Sequence, residues 1–97
     1  MVTSMARETI SVWLKIDEER MAQALQEAGK KLDSVEGEVT LDFSSVQRID
    51  PSGVNAMQEF ASLADGRGVK VVLRGVNVNV YKVLKLVRLG TRFSFVS

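Results

Sequence analysis

One stretch, Leu41 to Val54, concentrates the side chains of this 97-residue chain that could do chemistry: the carboxylates of Asp42 and Asp50 and the hydroxyls of Ser44, Ser45 and Ser52. Set at the ends of neighbouring elements, the two aspartates could form an acid/base pair or share a metal ion. The hydroxyls offer a different chemistry. Asp50 suits a helix N-cap, because its carboxylate can accept from an otherwise unpaired backbone N–H, and Pro51 then falls at the first helical position, where its missing N–H costs nothing. Ser52 is left in the first turn, at the positive end of the helix dipole and followed only by Gly53, so that a phosphate added to it would be well received. Ordinary capping explains Asp-Pro-x-Gly equally well. A functional Ser52 therefore needs support from the rest of the chain.

Composition removes many alternatives. There is no cysteine and no histidine, which excludes disulfides, thiol chemistry, Ser-His-Asp triads and almost every zinc or haem site. No G-x-G-x-x-G and no phosphate-binding lysine loop supplies a cofactor cradle. The chain thus reads as non-enzymatic, with no metal and no cofactor. With 45% hydrophobic and 26% charged residues and a single proline, it reads as one globular domain over 1–97, its first seven residues a loose end. No apolar run approaches the roughly 18–20 residues of a membrane span, and the first residues lack a hydrophobic signal core. The expectations are no membrane insertion and a cytoplasmic location.

The formal net charge is +1, but its distribution is uneven. All twelve acids fall in residues 1–65, whereas residues 66–97 carry seven bases (Arg67, Lys70, Arg74, Lys82, Lys85, Arg88, Arg92) and no acid. Either the fold interleaves the halves so that their fields compensate, or a basic face is left to dock an acidic protein, with nucleic acid or lipid as weaker options. Near the basic stripe of the last helix stand Tyr81 and Phe93, no base-stacking platform is evident, and nucleic-acid binding is not expected.

The elements that must position Ser52 follow from periodicity. Thr9 to Ile16 alternates, with Ile10, Val12, Leu14 and Ile16 on one side and Trp13 among the polar set, which makes a strand with one buried face. Trp13 either covers a sheet edge or belongs to a contact surface. A helix begins at Asp17, with Glu18 and Glu19 in its first turn and Lys30 and Lys31 in its last, and buries Met21, Leu25, Ala28 and Leu32; its charges read as a solvated face. Asp33 to Gly37 is a turn. Val39, Leu41 and Phe43 define a second strand, whose Asp42 must lie at the rim or be paired with a donor. Val54, Met57, Phe60, Ala61 and Ala64 mark the inner face of the next helix, which ends at Asp65-Gly66-Arg67-Gly68, where glycine can take the left-handed cap. Val69 to Arg74 has the continuous apolar centre of an inner strand. A last helix over 78–89, with Val80, Val83, Leu84 and Val87 inward and Lys82, Lys85 and Arg88 on a basic stripe, ends at Gly90 before a strand within 93–96.

The order β-α-β-α-β-α-β predicts an α/β fold with a four- to five-stranded, largely parallel or mixed sheet and helices mainly on one face. Functional groups in such sheets gather where strands end and helices begin, which is the Ser44–Ser52 turn. The candidate contact residues are Asp42, Ser44, Arg48, Asp50, Ser52, Gly53 and Asn55.

Three separated blocks then suggest a family. Leu41-Asp42-Phe43-Ser44-x-Val46-x-x-Ile49-Asp50-x-Ser52-Gly53, Gly68-Val69-Lys70-Val71-Val72-Leu73-x-Gly75-Val76, and Val83-Leu84-x-Leu86-x-x-Leu89 resemble the STAS domains of sulphate transporters and anti-sigma factor antagonists. The resemblance covers about residues 38–97. In the antagonist branch it implies a protein-binding module held by a partner that is both anti-sigma factor and serine kinase, and released when Ser52 is phosphorylated; Pro51 replaces the usual first hydroxyl there. The block Gly75-Val76-Asn77-x-x-Val80-Tyr81-x-x-x-Lys85-Leu86 resembles a second branch, the small STAS subunit of bacterial phospholipid-transporting ABC complexes. That branch implies a domain that sits on the ATPase subunit and supports its assembly. The antagonist reading is the main expectation and the transporter accessory the alternative.

Overall fold

The computed structural model describes residues 10–96, so the expected loose end at 1–7 and Thr9 of the first strand lie outside the described residues. The elements are β1 (Ile10–Lys15), a 3-10 turn (Glu18–Arg20), α1 (Met21–Lys31), a second 3-10 turn (Leu32–Ser34), β2 (Gly37–Asp42), α2 (Pro51–Arg67), β3 (Lys70–Arg74), α3 (Val78–Leu86) and β4 (Ser94–Val96). Their alternation is the expected one. All four strands of the sheet are parallel, in the order β1-β2-β3-β4. A parallel sheet whose spatial order repeats its chain order, joined by right-handed crossovers, must carry every connecting helix on the same face. The one-sided cover is therefore a consequence of topology, and it directs one set of strand residues inward.

That set is Val39 and Leu41 of β2 and Val71 and Leu73 of β3, which meet Met21, Leu25 and Ala28 of α1 and Met57, Phe60, Ala61 and Ala64 of α2. Each fully buried Leu, Phe or Met contributes about 1.5–3 kcal/mol by leaving water. Helices α1 and α2 lie side by side, and Gly29 permits the approach: a Cβ there would stand 3.1 Å from Leu63 Cδ1. The opposite face shows Trp13, 56% exposed, with the Arg74 guanidinium 5.1 Å from its ring centroid. Trp13 lies on an edge strand of the described sheet and is a platform for a cation from β3.

Several boundaries depart from the sequence reading. Asp17 accepts from the Glu19 N–H (3.0 Å) and caps a 3-10 turn, with α1 proper starting only at Met21. The turn after α1 begins with the Leu32–Ser34 helical turn, and Gly37 already belongs to β2. Gly53 and Ala56 are buried on α2 while Val54 is only half-buried, because the first turn of α2 is pressed against the chain before it. The last helix ends at Leu86, not Leu89. Arg88 takes the left-handed conformation (φ 65°), its N–H bonding the Lys85 carbonyl and the Leu89 N–H bonding the Leu84 carbonyl, so the closing motif is made by Arg88 and Gly90 plays no part in it. Glycine is the usual residue there; arginine in that place was not readable from the pattern.

The charge asymmetry is largely interleaved. Across the ladder Lys15 is paired in register with Asp42 and Asp42 with Arg74, Glu38 is level with Lys70, and Arg67–Asp33 and Arg92–Asp65 form ion pairs. Within residues 78–88, Lys82, Lys85 and Arg88 join no ion pair among the described residues.

Candidate functional site

The site is built at the carboxyl end of β2. Asp42 stands at the rim, half-buried, and its Oδ1 accepts from the Ser44 backbone N–H at 2.9 Å. That bond turns the chain out of the strand. The bond from Ser44 N–H, then the Ser44 hydroxyl, then the positive charges of Arg74 and Lys15 hold the Asp42 carboxyl below the usual carboxylate range. Behind the turn, Gly75 (φ 73°) brings its backbone against Ser44; a Cβ at Gly75 would lie 3.0 Å from Ser44 Cβ and 3.1 Å from its Cα. Only glycine meets both the left-handed backbone and the close approach.

The segment from Ser44 to Asp50 has no regular structure of its own apart from a turn, yet its backbone is tied at several points. Val46 N–H bonds the Phe43 carbonyl at 2.9 Å, with Val46 itself buried. Glu18, from the turn before α1, accepts the N–H groups of Gln47 (2.6 Å) and Arg48 (3.2 Å). Asn77, the N-cap of α3, accepts from Val80 N–H (2.8 Å) through Oδ1 and donates through Nδ2 to the carbonyls of Gln47 (3.1 Å) and Val46 (3.4 Å). A loop that would otherwise expose unpaired amides is thus clamped by one residue from each neighbouring crossover.

At its end, Asp50 caps α2. Its Oδ1 accepts from Gly53 N–H at 2.8 Å and from the Ser52 hydroxyl at 3.0 Å, and these bonds, the Gly53 one foremost, lower the Asp50 pKa. Pro51 occupies the first turn. Ser52 is exposed, as are Ser44, Arg48 and Asn55, whereas Gly53 is buried: a Cβ there would stand 2.8 Å from Met21 Sδ and 2.9 Å from Ile49 Cγ1. Gly53 therefore acts by close packing beneath the exposed candidate residues. Arg48 and Asp50 share a shallow pocket with Glu18, Glu19, Met21 and Ile49, while Asn55 lines a separate groove on the outer side of α2 with Gln58, Glu59, Ser62 and Leu63. The candidate residues thus divide over the mouth of α2 and the start of its outer face.

Chemically, both aspartates are spent on backbone donors and titrate below the ordinary range, which makes them weak bases at neutral pH. Among the described residues no group of three or more Asp, Glu, His or Cys side chains converges as a metal site would require. Two of the residues that build the site were not singled out by sequence reasoning. The Glu18 carboxylate looked like first-turn solvated charge, and nothing local announces its reach to Gln47. Asn77 carried a readable signal, since asparagine before an apolar helical run is a good N-cap; its second set of bonds is tertiary.

The architecture is thus a parallel α/β layer with helices on one face, presenting a clamped loop and an exposed hydroxyl at a helix mouth. The family model described as "Mlab, STAS domain" matches residues 5–96. The chain belongs to this STAS family. It is 37% identical over 57 residues to the intermembrane phospholipid transport system binding protein MlaB of Escherichia coli K12, and equally to that of Shigella flexneri; the match spans 59% of this chain and 59% of each relative. Among solved structures, a sulfate transporter family protein from Wolinella succinogenes superposes with a TM-score of 0.74 at 21% identity, covering 93% of this chain and 82% of that one. The anti-sigma factor antagonist SpoIIAA in its unphosphorylated form gives 0.67 at 20% identity, covering 100% of this chain and 84% of that one. At such identities these two likenesses are of fold. The fold and family expected from the sequence are thus the ones found, and the family match favours the transporter branch over the antagonist branch.

Proposed function

We propose that this chain is a non-catalytic accessory subunit of an intermembrane phospholipid transport system, docking on the ATPase of an ABC complex through the mouth of α2. The observation that carries this reading is the exposed Ser52 hydroxyl on a mouth whose approach loop is clamped by Glu18 and Asn77. A preorganised surface loses less freedom on binding, which leaves more of the contact energy to show as affinity. The contacts come from Ser44, Arg48, Asp50, Ser52 and Asn55, with Asp42 holding the turn and Gly53 the packing beneath. Support for this branch comes from the match to MlaB and to the family model of that description. On this reading the chain works at the cytoplasmic side, where an ATPase meets its nucleotide. No helix among the described residues is long and apolar enough to cross a membrane.

A second reading keeps Ser52 as a phosphoacceptor that releases its partner, as the antagonist branch implies. Its exposure favours this; its bond to Asp50 Oδ1 opposes it, since a phosphate adding about −1.5 to −2 charges would face that carboxylate. Purification of the tagged protein from its native lysate, with mass spectrometry of the bound proteins and of the Ser52 peptide, separates the two. Recovery of an ABC-type ATPase and permease with Ser52 unmodified is the expected result. Recovery of a kinase-like ATPase with phosphate on Ser52 would replace it with the partner switch.

A further inference from the structure

The helix α3 has an outer face that the site at the mouth of α2 does not use. Val80 and Leu84 are its buried residues, and at 3.6 residues per turn Val78, Lys82, Lys85 and Leu86 fall on the opposite arc, with Tyr81 on its flank. Three of these are large apolar groups in water: Val78 is 66% exposed, Tyr81 40% and Leu86 81%. They alternate with two lysines, and Arg88 adds a third cation just past the helix. No acid occurs anywhere in residues 66–97. The ion pairs among the described residues, Arg67–Asp33 and Arg92–Asp65, involve none of these cations.

The face is also shaped. Tyr81 stands edge-on to Phe95, with ring centroids 5.1 Å apart, and the Lys85 ammonium lies 5.9 Å from the Tyr81 ring centroid. Gly90 packs beside the Lys85 stem, where a Cβ would come into contact with Lys85 Cγ at 3.4 Å. The result is a concavity lined by Tyr81, Lys85, Arg88, Gly90 and Thr91. Arg88 reaches it from a left-handed backbone that glycine would take without steric cost. The helix dipole accounts for a cation near the last turn, but not for solvent-facing Leu86 and Val78.

We propose that this face of α3 is a second docking surface, which takes an acidic segment of the protein partner that also carries an apolar residue. The inference rests on the accessory-subunit reading for the existence of that partner. Charge complementarity chooses the occupant: cations around a concavity and between apolar side chains suit carboxylates set beside a hydrophobic anchor. A helix of nine residues, about 13 Å long, with a cupped surface is less suited to a lipid bilayer, which favours a longer and flatter apolar face. Asn77 caps the start of α3 and the concavity lies towards its far end, about 13 Å along the helix, so a partner that engages both surfaces runs along α3.

The test is photo-crosslinking in the assembled complex, with the crosslinking residue placed at Leu86 in one preparation and at Ser52 in another. The expected result is attachment of Leu86 to an Asp/Glu-rich peptide of the ATPase. The double variant Lys82→Glu with Lys85→Glu should weaken association about tenfold or more, and raising salt to about 0.5 M should weaken the wild type more than that variant. The single variant Leu86→Ser, at an exposed position, checks the apolar anchor and should also weaken association. Crosslinks from Ser52 with none from Leu86, or unchanged affinity in the variants, overturn the second surface and leave the accessory-subunit reading standing. No crosslink from either position rejects both. Sedimentation with phosphatidylglycerol vesicles that is lost on charge reversal, without protein crosslinks at Leu86, overturns the proposal in favour of a lipid surface.

Discussion

Glu18 and Asn77 hold the backbone of Gln47 from two sides: Glu18 Oε1 accepts its N–H at 2.6 Å and Asn77 Nδ2 donates to its carbonyl at 3.1 Å. Each comes from a different crossover, so the loop between Ser44 and Asp50 is a joint between the β1–α1 and β3–α3 connections. Rigidity at the mouth of α2 is therefore a tertiary property.

Truncating either clamp should loosen that joint. Asn77→Ala removes an N-cap and a loop bond and should cost about 1–2 kcal/mol; Glu18→Ala should cost a similar amount, about 1–2 kcal/mol, by freeing two amides at a solvent-facing site. Since both act on Gln47, the double variant should be less destabilised than the two single effects together, by about 0.5–1 kcal/mol. Urea unfolding measures all three. Faster hydrogen exchange at Gln47 and Arg48 in Glu18→Ala, with the α2 amides unchanged, would confirm that the effect is local.

Gly75 and Gly68 both have left-handed backbones, but a Cβ at Gly68 meets nothing within 4 Å whereas one at Gly75 strikes Ser44. Gly68→Ala should thus cost about 1 kcal/mol from the backbone alone, and Gly75→Ala about 2–4 kcal/mol because overpacking is added. Equal losses would show that the Gly75–Ser44 approach is not a constraint.

The carboxylates predict the acid response. Asp42 and Asp50 titrate in the folded chain below the unfolded value of about 3.9, so their stabilisation is complete above that pH and is lost as pH falls through the lower folded values. Stability should be insensitive to these two groups between about pH 5 and 8 and should decline below about pH 4. Asp50→Asn keeps a competent N-cap without a titrating group, and should make the acid limb of the urea midpoint shallower. An unchanged limb would show that the Asp50 bonds carry no pH-dependent stability.

The fold was legible because its signals are local: alternation in β2, the 3.6-residue period of α2, and the Asp50-Pro51 and Gly68 caps. One-sided helix cover then followed from parallel order. Part of the site was legible for the same reason, since Asp50 and Asp42 act within three residues of themselves. What escaped was long-range or unusual. Glu18 looked like any first-turn acid, the buried place of Gly53 depends on Met21 and Ile49 meeting it, and the end of α3 was misplaced because Arg88 does what glycine ordinarily does. The expected basic stripe through Arg88 is instead Lys82 and Lys85 on the helix, with Arg88 beyond it.

On the accessory-subunit reading, the partner reads a neutral hydroxyl at position 52. Isothermal titration of the purified chain against the purified ATPase subunit, wild type beside Ser52→Asp, tests it most directly. The helix N-terminus favours the added carboxylate and the neighbouring Asp50 carboxylate disfavours it, so the two largely offset and the thermal midpoint should stay within about 2 °C of wild type. Against a surface shaped for the hydroxyl, the same charge should cost about 3 kcal/mol and weaken binding on the order of a hundredfold. A Ser52→Asp chain that binds the ATPase as tightly as wild type, or a wild-type chain that gives no binding heat with it, would contradict the account.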